Sequence, residues 1–371
     1  MLMKGWSKAV HRPAVGLLGL CVLWWVLLAC QKDPDPEPTD GAYVSDSIPY
    51  RNLSSYRLFE TPISSLSPRP GILPYDLITP LFTDYAFKSR LVVIPKGQAA
   101  RYQSEGVLEF PEHTFLVKSF YYPVDFRQPE GNRKIVETRL LFRRNGQWQA
   151  YTYRWNEAQT EATLIKGGAM VPVSWTHTDG SLRTVQYLVP NQNECKSCHN
   201  VANQLQPIGP KAMHLNHDYT YATGRMNQLA RWQQAGMLTD LPSLATVPKL
   251  PNWTDSLNYS VADRARAYLD INCAHCHSPK GSASNAGINL SFSETNPTAW
   301  GVCKPPVAAG SGSGGRLFDI QPGKPDSSIM IFRMEMNDPD LRMPEVGRSS
   351  AHAEAVALLR QWIQGLDGSC R

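Results

Sequence analysis

Val261-Ala262-Asp263-Arg264-Ala265-Arg266-Ala267-Tyr268-Leu269-Asp270-Ile271-Asn272-Cys273-Ala274-His275-Cys276-His277 joins an apolar helical repeat to a Cys-x-x-Cys-His ending. Ala262, Ala265 and Leu269 recur at helical spacing, which predicts a helix over 261–271 that runs into Cys273. The same ending occurs upstream as Cys195-Lys196-Ser197-Cys198-His199. Each copy places two thiols one helical turn apart, with an imidazole directly after them. That order suits thioether bonds to the two vinyl groups of one haem, with the histidine beneath its iron. The pair therefore implies two covalently bound haem c groups, held by Cys195, Cys198, Cys273 and Cys276, with His199 and His277 as iron ligands.

Other uses of paired cysteines fit less well. Four thiolates can hold zinc, but zinc does not ask for a histidine immediately after each pair. A thioredoxin-like redox pair needs a βαβ context, and none precedes either motif.

The N-terminus reads as an export signal. Lys4, Lys8 and Arg12 precede an uninterrupted apolar run over 14–29, shorter than the roughly 20 residues of a spanning helix. The run ends in Leu27-Leu28-Ala29-Cys30, which resembles the bacterial lipobox. That resemblance implies that residues 1–29 are removed and that acylated Cys30 anchors the chain to a membrane. An acidic, proline-rich stretch follows, and residues 30–48 are expected to be an extended tether. Gln31-Lys32-Asp33 also resembles the signal that sends some Bacteroidetes-type lipoproteins to the outer face of the outer membrane. The expected place is extracytoplasmic, on the outer membrane, facing the periplasm or the exterior.

Removing Lys4, Lys8 and Arg12 lowers the formal net charge from +5 to +2. So balanced a surface gives no support for nucleic acid as a partner. Of the eight cysteines, Cys21 leaves with the signal, Cys30 takes lipid and four take haem. Cys303 and Cys370 remain, and an oxidising compartment favours a disulfide between them.

The mature length suits two domains. Residues 49–189 read as β-rich: 135–144 and the alternating Tyr151, Tyr153 and Trp155 flank Asn145-Gly146, a two-residue hairpin signal. Further short strands are expected at 107–110, 113–120, 170–175 and 182–188, with Asp179-Gly180 as another turn. Strands so spaced suggest a sandwich- or barrel-like antiparallel domain. Residues 190–371 change to helices and long loops, with the first haem expected over about 190–250 and the second over about 251–371. A second amphipathic helix is expected over 351–366, carrying Ala355, Leu358, Leu359, Trp362 and Ile363. Two helices bracketing a haem motif make this half a mainly α, cytochrome c-like region.

Across both halves the chain resembles a poorly characterised family of dihaem c-type cytochrome lipoproteins. The resemblance rests on Pro80-Leu81-Phe82-Thr83-Asp84-Tyr85-Ala86, Glu137-Thr138-Arg139-Leu140-Leu141 and Tyr153-Arg154-Trp155-Asn156-Glu157 in the β-rich half. In the other half it rests on Glu194-Cys195-Lys196-Ser197-Cys198-His199, Ile208-Gly209-Pro210-Lys211, Leu215-Asn216, Asn227-Gln228-Leu229 and Arg266-Ala267-Tyr268-Leu269. It implies electron transfer and leaves substrate and partner open; two covalently held haems in one unit suggest a relay with a redox partner protein, a dehydrogenase or another cytochrome.

Leu341-Arg342-Met343-Pro344 resembles the Met-Pro segment that gives many cytochromes c their distal thioether, so Met343 is the expected sixth ligand of the second haem. Met330, Met334 and Met336 compete but fall at core-filling helical spacing. For the first haem the choice stays open among Met213, His214, His217, Met226, Met237 or no ligand. Arg333 is a candidate partner for a haem propionate. Two further readings stand beside electron carriage. One is a dihaem peroxidase- or oxidase-type enzyme with an open first haem. The other makes the β-rich half a ligand-binding module whose Tyr85, Tyr121, Tyr122, Trp148, Tyr151, Tyr153, Trp155 and Trp175 line a sugar site, although sheet cores use the same residues. Asp84, Glu137 and Glu157 receive no catalytic role from sequence.

Overall fold

In the computed structural model the described residues are 48–201 and 204–371. The expected signal peptide, Cys30 and all of the tether but Ile48 lie outside them. No helix among the described residues is long and apolar enough to cross a membrane.

The β-rich half is built on β1 (Leu73–Pro74), β2 (Phe87–Val93), β3 (Ala100–Arg101), β4 (Phe115–Pro123), β5 (Arg133–Arg144), β6 (Gln147–Trp155) and β7 (Ala162–Ile165). All but β3 form one antiparallel sheet in the order β1-β2-β4-β5-β6-β7. β-Branched and aromatic residues fill its long central strands. Asn145 and Gly146 turn β5 into β6 with φ of +53° and +72°, the left-handed pair that matches strand twist. β8 (Ala169–Thr176) and β9 (Leu182–Val189) make a separate hairpin. It packs Val171, Val173, Trp175 and Tyr187 against Phe120 and Tyr122 of β4.

The barrel expectation is corrected: among the described residues the sheet is open. Its edges, β1 and β7, are two and four residues long, and the β8–β9 hairpin forms its own two-stranded sheet, bridged outside it at Thr176 to Asp125. Residues 107–110 form two isolated bridges in place of the expected strand, Val107 with Lys211 and Glu109 with Arg101. Gly106, at φ of +77°, and Pro111 interrupt any longer ladder on either side.

Alternation along the strands gives the sheet two buried faces. Leu91, Val93, Phe115 and Val117 point into a core closed by Leu53, Tyr56, Leu58 and Phe59 from the preceding segment. Val92, Leu116 and Trp148 meet Leu215, Leu229, Trp232 and Met237 from beyond the β-rich half. The face that carries Leu116 is therefore covered by the segment that follows the first motif.

Six α-helices follow among the described residues: α1 (Gln192–Cys198), α2 (Ala212–Leu215), α3 (Gln228–Gln234), α4 (Val261–Asn272), α5 (Ile329–Glu335) and α6 (Ala353–Gln364). Asn191 and Glu194 close a reciprocal capping box on α1, and the Ser260 hydroxyl accepts from Asp263 N at the start of α4. Ala265 and Leu269 of α4 pack with Ala355, Leu358, Leu359, Trp362 and Ile363 of α6 in one core. A disulfide joins Cys303 to Cys370, with Cα atoms 5.1 Å apart.

Buried polar ties cross between distant segments. The Asp84 carboxylate accepts from the backbone and hydroxyl groups of Ser349 and Ser350, just ahead of α6. Asp270 of α4 accepts from His214 Nε2 at 2.9 Å, Phe292 N at 2.9 Å and Lys211 Nζ at 3.4 Å. Glu137, fully buried, pairs with Arg139 and accepts from the Tyr187 hydroxyl at 2.6 Å.

Candidate functional site

Both Cys-x-x-Cys-His segments sit at the C-terminal ends of helices. At the first, α1 places Cys195 inward, and His199 caps the helix by donating its N–H to Cys195 O at 3.0 Å. The His199 Nδ1 bonds Gln206 O at 2.9 Å; because a carbonyl can only accept, Nδ1 carries the proton and Nε2 keeps its lone pair. Burial pulls the His199 pKa down to about 4, so the ring is neutral, the form that binds metal. At the second, Cys273 N bonds Leu269 O at 2.9 Å and His277 N bonds Cys273 O at 2.9 Å, continuing the turn of α4. Burial also lowers His277, and its Nδ1 lies buried without a hydrogen-bond partner among the described residues.

The two motifs converge. The side chains of Cys198 and Cys276 meet, and the contact holds Cys276 toward the thiolate while pushing Cys198 up. Cys198, Cys273, Cys276 and His277 stand in the wall of one cavity of about 550 Å³. Met343 lines the same cavity, with its amide donating to Arg333 O at 2.9 Å; Met330, Met334 and Arg333 line it too. Two smaller hollows, of about 100 and 90 Å³, both touch Cys195 and His199. They share Leu81, Lys118, Arg139 and Ile208 as walls, and the second also shares Cys198, His275 and Met343 with the large cavity.

The second motif fits a haem-sized group. Its cavity falls within the roughly 300–1,000 Å³ of ligand pockets, and it gathers the motif's own two thiols and imidazole, the Cys198 thiol and three thioethers. At the first motif the donors fit equally well, and each of the two hollows is smaller than a porphyrin. Among the described residues no three His, Cys, Asp or Glu side chains converge closely enough to hold a bare metal ion, so the four thiols do not form a zinc-type tetrad.

Other sequence candidates fall elsewhere. His214 is fully buried against Asp270, Met237 lies in the core beneath the sheet, and His217 contacts Gln228 and Asp76 O. Met226 pairs with Tyr219 in a short hairpin, and Met213 O accepts from Leu250 N. None of these five lines the hollows at the first motif, whereas His275, Met334, Met343 and His352 do. His352 is already engaged, its Nδ1 hydrogen-bonded with Tyr268 OH at 3.0 Å and its ring stacked on Phe82 at 4.0 Å. His275 lies inside the second motif, where a search downstream of the first for its own ligand passes over it.

Arg333 donates from Nε to Leu341 O at 2.9 Å. Tyr122, Trp148, Tyr153, Trp155 and Trp175 are buried and Tyr85, Tyr121 and Tyr151 partly so, which makes them sheet packing. No family model matches the chain, and neither the curated proteins nor the solved structures hold a match to it.

Proposed function

We propose that the chain is an extracytoplasmic dihaem c-type cytochrome, anchored through acylated Cys30, that carries electrons between a redox partner protein and an acceptor. Its C-terminal half is then a cytochrome c-like helical unit holding two haem c groups. The observation that carries this reading is the meeting of two complete Cys-x-x-Cys-His segments, Cys198 against Cys276, beside a cavity lined by His277 and Met343.

Bound haem c supplies a one-electron couple whose potential follows ligand type, burial and nearby charge. The chain's own residues set those conditions. Gln206 O fixes His199 with Nε2 free, burial keeps both imidazoles neutral, and a Met343 thioether favours ferrous iron relative to a second imidazole. The contact between the motifs brings the two attachment points side by side, which suits electron exchange within the chain.

Intact mass with a pyridine haemochrome assay tests the reading. Two haem c per chain are expected, with one lost in Cys195→Ser/Cys198→Ser and the other in Cys273→Ser/Cys276→Ser. Any other count in the wild type overturns it. One observation favours a dihaem peroxidase- or oxidase-type enzyme as second reading: none of the five Met and His candidates after His199 lines the first site. Carbon monoxide bound by the reduced wild type supports that reading, and a protein that binds none excludes it.

A further inference from the structure

The sheet face that meets the first motif carries a row of cations where an apolar row is the rule. Arg90 of β2, Lys118 of β4 and Arg139 of β5 stand directly opposite one another in the ladder, and Thr152 of β6 follows Arg139. Like charges directly across strands are destabilising, so such a row persists only where anions balance it. The two outer members are balanced: Arg90 pairs with Asp76, and Arg139 pairs with Glu137. Lys118, between them, has no carboxylate within ion-pair distance among the described residues; its ammonium lies 4.8 Å from the centre of the Phe120 ring. With Lys118 protonated the row holds three cations against two carboxylates, a deficit of one negative charge. Lys88, one row along on the same face, does not line the hollows.

The deficit opens onto the first motif. Lys118 and Arg139 both line the two hollows that touch Cys195 and His199, and the far end of the row reaches the motif through contact of Thr152 with the Cys195 thiol. Strand pairing on both sides holds the row rigidly, as a binding wall requires. Burial together with Arg90 and Lys88 presses Lys118 well below its ordinary pKa, a penalty that a bound anion relieves.

We propose that the Arg90–Lys118–Arg139 row is an anion seat, in which Lys118 takes one carboxylate of the group attached at Cys195 and Cys198. Resting on the dihaem reading, this makes that carboxylate a haem propionate and makes the sheet one wall of the first site.

The test is potentiometry on the holoprotein, with haem counted by mass in the same samples. Lys118→Gln, neutral and similar in length, is expected to keep two haems. It leaves the propionate unbalanced, which favours ferric iron, so one potential falls until the ferrous-to-ferric ratio at fixed applied potential drops about tenfold, or about 59 mV. The other potential stays in place, and Lys118→Arg restores the wild-type pair. Two attached haems with both potentials unmoved in Lys118→Gln overturn the seat alone. A wild-type chain without haem at Cys195 and Cys198 overturns the seat together with the dihaem reading. Should Lys118→Gln not fold, Lys118→Arg carries the test: potentials and haem count equal to wild type are expected, and loss of the first haem despite the retained cation overturns the seat.

Discussion

The two Cys-x-x-Cys-His segments end their helices in the same way, yet one is built against a sheet and the other between helices. Around Cys195 and His199 one wall is the sheet, with Lys118 and Arg139 in it, the rest comes from loops and α4, and the space is tight. Around Cys273 and His277 the walls are α4, α5 and the loops before α6, with three methionines and a roomy cavity. A five-residue motif fixes how a cofactor is attached, and the surrounding fold fixes the charge and dielectric that the cofactor meets. The first site thus meets the cations of the sheet, and the second meets methionines and helix side chains together with Arg333 and Asp319.

The disulfide offers the largest break of that comparison. It belongs to the second region alone, tying Cys303 to Cys370 just beyond α6, across a sequence separation of 67. Chain-entropy scaling for a loop of that size gives about 4 kcal/mol. Cys303→Ser/Cys370→Ser is expected to lower unfolding stability by about that amount, with amide exchange in α6 rising far more than exchange in β4 and β5. Equal loosening of both regions would show that they unfold as one unit.

Asp270 sharpens the seam between the two. It rides on the helix of the second motif, yet its partners His214 and Lys211 come from the segment after the first. Asp270→Asn leaves a buried imidazole and a lysine without their anion, at about 3 kcal/mol by analogy with broken buried pairs. The sign with pH is fixed. The hydrogen bond from His214 and the Lys211 charge outweigh burial and hold the carboxyl well below its usual range. Its contribution is therefore full above the unfolded value of roughly 4 and is lost as the pH falls below it. Urea titrations should show the Asn variant flatter than wild type in that acid window; matching slopes would remove Asp270 from the seam.

The local parts of this architecture are legible in sequence. The Asn145-Gly146 turn, the 182–188 strand and the helices at 261–271 and 351–366 lie close to where periodicity and turn chemistry place them, because each depends on neighbours within a few residues. The convergence of Cys198 with Cys276 is not legible, since it depends on which sheet face the segment after residue 199 covers. Period-two alternation shows that Leu116, Lys118 and Phe120 share a face, but not that the face meets a Cys-x-x-Cys-His segment. Lys118 reads as one more solvated charge until Arg90 and Arg139 are seen on either side of it. His275 hides for a related reason: spacing rules search along the chain from each motif, whereas the hollow beside His199 is completed from the other motif.

The smallest effect concerns a histidine set between the regions. His352, just ahead of α6, stacks on Phe82 from the β-rich half and meets Trp253 edge-on at 5.0 Å. Its Nδ1 hydrogen-bonds Tyr268 OH at 3.0 Å, and its Nε2 faces Glu354, 3.7 Å away. Its side chain is 13% exposed, and burial lowers its pKa to about 4, with Glu354 opposing and Lys88 adding to the shift. The unfolded chain takes up a proton near pH 6.5 while the folded chain refuses it until about 4, so stability falls as the pH drops through that window. The full swing is on the order of 3 kcal/mol. His352→Phe preserves the stacking and cannot take a proton, so it should remove that share of the pH slope while costing little at pH 8, where wild-type His352 is also neutral. On the dihaem reading His199 and His277 would be tied to iron, which leaves His214, also lowered by burial, as the other contributor. An unchanged slope between pH 6.5 and 4 would assign the proton to His214 and place the acid sensitivity on the segment after the first motif.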